Sequence, residues 1–210
     1  MTAGEAKEMF LARVYAEVSV DVAGWTDAEI LEFIKMATMS TVQELSLAET
    51  FDLISNLVKT STEITLTDNR ATIPNEYSAL LSLGGISNYL YYVRSRCRVA
   101  ATTTYVTGEF IQAHEAELYY VTPTHTPYFR HPKVYIEDEK IKVLADSYTV
   151  LDRLYLTYVK KPTFATLTGA NFETPSNPIS DVNISLQEGI IEKAVGLAIT
   201  SLLTTERSSQ

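Results

Sequence analysis

Between Ala3 and Val18 the apolar residues Phe10, Leu11, Val14, Tyr15 and Val18 recur at steps of three and four, which predicts an amphipathic helix over residues 3–18. After the break "DVAGW", Thr26 and Glu29 are spaced as a capping box, in which each side chain satisfies the other's free backbone N–H. Ile30, Phe33, Ile34 and Ala37 then extend one face, predicting a helix from 27 to about 45. A second such box, Ser46 with Glu49, predicts a restart whose stripe is Leu53, Ile54, Leu57 and Val58, as either a separate helix or a kinked continuation.

From Thr60 the period changes to two. "TEITLTDNRATIP" predicts a hairpin about an Asp-Asn turn, stopped by Pro74, and "NEYSALLSL" predicts one or two helical turns capped by Gly84-Gly85. "ISNYLYYVRSRCRVAATTTYV" is rich in Tyr, Val and Thr and predicts one long strand or two. "EFIQAHEAELYYV" predicts a short helix, and Pro123, Pro127 and Pro132 interrupt regular structure after it. "KVYIEDEKIKVL" reads as a hairpin turning through Glu137, Asp138 and Glu139, and "LDRLYLTYVKKP" as a third strand completing an antiparallel meander.

Residues 163–184 are dominated by Thr, Asn, Gly and Pro and predict a long loop. A third box, Ser185 with Glu188, opens a helix from 185 to 203, followed by a polar tail over 204–210. The order predicts an α+β fold, with a bundle of N-terminal helices (1–60) and the C-terminal helix, and a central antiparallel β lobe over 61–162.

The 210 residues suffice for one ordinary domain or two small ones without disulfides or metals. No apolar run approaches a membrane span. An N-terminus without a secretory pattern and a single Cys97 lead us to expect synthesis in a reducing cytoplasm. A net charge of −9 argues against general nucleic-acid binding, and it suits a channel wall along which DNA slides without being held.

His125 and His131, spaced H-x5-H, are the first candidate ligands. Their proline and aromatic neighbours suit a packed loop better than a metal site, and no metal or cofactor is expected. Glu137, Asp138 and Glu139 would need a pocket to separate their pKa values for acid/base work, and a hairpin tip offers none. No nucleophile elbow, phosphate loop or dinucleotide fingerprint occurs, so an enzyme is not expected. Arg94, Arg96 and Arg98 alternate, so a strand would set all three guanidinium groups on one face. Their partners could be a neighbouring subunit, carboxylates of the same chain, or nucleic acid.

The order of pieces resembles the head-to-tail connector, or portal adaptor, ring proteins of short-tailed bacteriophages, including the crAss-like phages. "TDAEILEFIKMATMSTVQEL" is similar to that family's early helix, and "RATIPNEYSALLSL" to its proline-ended strand and turn. "TPYFRHPKVYIEDEKIKVL", "LYLTYVKKP" and "NISLQEGIIEKAVGLAITSLL" resemble its loop and hairpin, its Lys-Pro-ended strand and its last helix. The resemblance implies a structural protein of the virion head–tail junction, made in the host cytoplasm. Copies would form a ring, as a dodecamer, between the portal protein and the next tail component, prolonging the channel for genome DNA without binding it specifically. Arg94, Arg96 and Arg98, with Glu137, Asp138 and Glu139, are then the expected interface residues. Some members dock on the portal through a long C-terminal arm, which the seven residues after 203 do not match. The alternatives are another tail or minor head protein, a carbohydrate- or peptide-binding module whose strand tyrosines form the binding face, or a hydrolase using acidic residues.

Overall fold

In the computed structural model the described residues are 1–18, 25–69, 75–86, 88–121, 131–146, 148–164 and 179–208. The fold is α+β, with four α-helices and one large curled sheet. By packing, the chain separates into two compact units: residues 1–57 with 161–210, and residues 58–160.

The first unit is built on three helices, α1 (Ala3–Glu17), α2 (Asp27–Leu47) and α4 (Ile184–Ser208). Thr2 and Thr26 each cap their helix in a reciprocal box, with Glu5 and Glu29 respectively, so free N–H groups at each start are satisfied locally. α4 packs against both α1 and α2, burying Ile190, Ile191, Ala194 and Val195. Phe10, Trp25 and Phe33 form an aromatic cluster, with ring centroids 5.7–6.3 Å apart. Lys193 pairs with Glu44 at 2.7 Å across α4 and α2.

Two of the expected caps are not caps. Ser46 lies inside α2, buried, and its hydroxyl donates back to the Val42 carbonyl at 2.7 Å. Glu49 takes a positive φ of 55°, and the chain beyond it runs in turns to Leu57 instead of restarting as a helix. Ser185 likewise falls within α4, and the oxygen of Asn183 accepts its N–H at 3.4 Å. α4 also continues to Ser208, so most of the expected tail is helical.

The second unit is the sheet: β1 (Val58–Thr60), β2 (Ile64–Thr65), β3 (Thr67–Asp68), β4 (Asn75–Leu80), β5 (Tyr89–Val99), β6 (Tyr105–Phe110), β7 (Lys133–Glu137), β8 (Lys140–Ala145) and β9 (Leu151–Lys160). Strand order is β1-β9-β5-β6-β7-β8-β4-β3, with β2 also on β9. β2 and β3 flank Leu66 in one short run. That run pairs with β9 at one end of the path and with β4 at the other, so the sheet curls round and joins itself. The closed wall holds a core that includes Ile64, Tyr77, Cys97, Val134, Leu154 and Leu156. Outside it, α3 (Ala113–Val121) covers β7 and β8 through Ile111, Ala116, Tyr135 and Leu144.

Three expectations about the sheet are corrected. Residues 75–80 are strand β4, not helical turns, because Tyr77 and Ala79 alternate inward and all six residues pair with β8; only Leu81–Gly84 is helical, a 3-10 turn capped by Gly85 at φ 70°. Thr67 and Asp68, expected at the turn of a hairpin within residues 62–74, instead pair with Ser78 and Tyr77 of β4; the expected second arm, residues 70–74, lies outside the described residues. β9 does not continue a β7–β8 meander but inserts between β1 and β5, and the β6–β7 pair is parallel, so the sheet is mixed and not antiparallel throughout.

Candidate protein-interaction face

The outer face of β5, β6 and β9 concentrates the arginines. Alternation turns Ser95 and Cys97 into the core and Arg94, Arg96 and Arg98 outward. Burial pushes the Cys97 thiol up to about 12, so it behaves as an apolar core group. Register shifts bound the stripe. One falls between Tyr92 and Arg94, where the extra residue lets Tyr92 pack against the core while Arg94 turns out; another follows Arg98, and Val99 packs against the core again.

The three arginines have different surroundings. Arg98 is clamped by Asp152, with Nε and NH2 donating to its two carboxylate oxygens at 3.0 and 2.7 Å, and Glu63 lies 3.5 Å from NH1. That fork hydrogen-bonds Asp152 below the usual carboxylate range and holds Arg98 above its ordinary value. Arg96 lies over a pair of touching aromatic rings, its guanidinium carbon 5.9 Å from the Tyr105 centroid and 6.0 Å from that of Tyr155, with the two centroids 5.8 Å apart. Register sets this, since Arg96 faces Tyr155 on β9 and Tyr105 enters from β6. Arg94 is exposed and has no ion-pair partner among the described residues. Arg153 adds a fourth guanidinium, which donates to the Thr65 hydroxyl.

The sequence therefore located the stripe but not its division. Arg98 serves the fold, whereas Arg94 and Arg96 remain available to a partner. No sequence pattern marks Tyr105 or Tyr155, and the only signal for Asp152 is an acid beside an inward leucine in an alternating strand.

Glu137, Asp138 and Glu139 form the β7–β8 tip, separated from the arginines by intervening strands. Glu137 pairs with Lys142 at 2.6 Å. Asp138 and Glu139 occupy left-handed backbone at φ 48° and 60°, and both are exposed. His125 lies outside the described residues, and His131 is exposed. Among the described residues no group of three or more His, Cys, Asp or Glu side chains is placed to hold a metal ion. A cavity of about 370 Å³ opens at the turn between β5 and β6, lined by Val99, Thr102, Thr104, Val106, Tyr148 and Thr149 among others. Its walls carry no carboxylate, imidazole or amine. No helix among the described residues is long and apolar enough to cross a membrane.

No protein-family profile matches the sequence, and no curated protein is significantly similar to it.

Proposed function

We propose that this protein is a structural component of a phage virion, which self-associates into a ring between portal and tail and prolongs the DNA channel. The helices would form the bundle of the ring and the sheet its lobe. The observation that carries the reading is the outer face of β5, β6 and β9. On a chain of net charge −9, it gathers Arg94, exposed and unpaired among the described residues, and Arg96, held in place by two tyrosine rings. An acidic chain with one basic, aromatic-framed face is suited to heterologous contact with a second copy, because opposite patches on one surface complement each other across the join. Tyr and Arg are also the residues that most often dominate binding energy at such joins. The resemblance of the element order to portal adaptor rings supplies the context of portal, tail and channel.

The test is the mass of the purified protein by light scattering, with negative-stain electron microscopy, alone and mixed with the portal protein. The expected result is a closed ring with a central opening whose mass is a multiple of 23.4 kDa. A strict monomer under both conditions would exclude the reading. One observation favours a second reading, a carbohydrate- or peptide-binding module. The cavity beside Tyr148 is neutral, and that ring is 93% exposed, as a stacking platform would be. A monomer that binds glycan through Tyr148 would establish that alternative.

A further inference from the structure

We infer that the face carrying Arg94 and Arg96 takes, from a second copy of this chain, the β7–β8 hairpin tip with its Asp138 and Glu139 carboxylates. This rests on the self-association reading above and names the surface that meets the arginines.

Along the sheet, β5 and β8 are separated by β6 and β7, about 14 Å at the usual strand spacing. Among the described residues no ion pair joins the two groups, which leaves both open to a second molecule. Such a contact is heterologous, with one patch on each partner, and it repeats from copy to copy until a ring closes.

The two surfaces also match in composition. The basic face offers two guanidinium groups with the rings of Tyr105 and Tyr155 beside one of them. At the tip, Asp138 and Glu139 make no ion pair among the described residues. Leu80, opposite Lys140 in the β4–β8 ladder, and Leu83 are 43% and 72% exposed beside them. The Leu81 N–H donates to the Glu139 carbonyl at 3.0 Å, tying this leucine turn to the acidic tip. Charge would meet charge and leucine would meet tyrosine, a pairing that fixes orientation as well as attraction.

The experiment exchanges the charges. Arg94→Glu/Arg96→Glu makes the face acidic, and Asp138→Lys/Glu139→Lys makes the tip basic. Each variant alone should associate at least about tenfold more weakly than the parent, because like charges now oppose each other at every join. An equimolar mixture should regain the parental assembly, with the two variants alternating and only even copy numbers in the particles. The inference is overturned if the tip variant assembles like the parent, or if the mixture stays apart while both variants keep the parental circular dichroism and melting. A parent chain that never associates would refute the self-association reading itself, which the same light-scattering runs distinguish from failure of this pairing.

Discussion

Residues 1–57 and 161–210 form a unit whose elements are specified close at hand, while residues 58–160 form one whose elements depend on distant partners. In the helical unit, Thr2 and Glu5, or Thr26 and Glu29, complete a cap within four residues, and the apolar stripe that meets the neighbouring helices follows directly. In the sheet unit, β9 runs beside β5 and beside β1, each far from it in sequence, and the run holding β2 and β3 must reach both β9 and β4 before the wall is closed. Local structure can be secured by single short motifs, whereas long-range structure is secured by packing that tolerates little change.

The largest effect that would separate the two is expected from Phe10→Ala. It removes the centre of the aromatic cluster with Trp25 and Phe33 and should destabilise the helical unit by about 3–5 kcal/mol. Trp25 is the only tryptophan, so its fluorescence in urea reports this unit selectively. A mutant whose tryptophan transition does not move would contradict the packing described.

Gly108→Val should produce the converse, with a smaller magnitude of about 1–3 kcal/mol. Gly108 lies in β6 between Ser95 of β5 and Val134 of β7, and a Cβ there would fall 2.6 Å from a Val134 methyl carbon. Circular dichroism of the sheet should melt early while the Trp25 transition keeps its midpoint. Equal shifts in both signals would mean that the two units unfold as one.

The smallest effect is electrostatic and sharpens the contrast through pH. Asp152 titrates below its unfolded value because Arg98 hydrogen-bonds its ionised form. Its contribution is therefore complete above the ordinary aspartate range, about 3.9, and is lost as the pH falls through the lower, folded value. Asp152→Asn should flatten the acid limb of the sheet's stability curve and leave the Trp25 limb unchanged. An unaltered acid limb would show that the Arg98 fork adds nothing to folding.

The same division explains what could be read from the sequence. The starts of α1 and α2, the β5 strand, the β7–β8 hairpin and the α+β class all follow from periods and caps within about twenty residues, whereas β6 runs on into Glu109 and Phe110, where a helix is expected. β4 reads as helical turns because "NEYSALL" fits either state locally, and the pairing with β8 sixty to seventy residues later decides it. "SLAE" satisfies the capping-box pattern, yet Ser46 is buried within a helix that has not ended. At the candidate interaction face, the alternation of Arg94, Arg96 and Arg98 is visible in the sequence. The clamp on Arg98 is not, because Asp152 is 54 positions away.

One feature of the sheet also bears on how this chain could change over evolution. The chain enters the sheet unit at β1 and leaves it by β9, and those strands are antiparallel neighbours with Val58 opposite Val159. Entry and exit therefore stand roughly 5 Å apart. A recombination event need match only that narrow gap to exchange the entire cassette of about a hundred residues, giving the helical frame a different sheet in a single step.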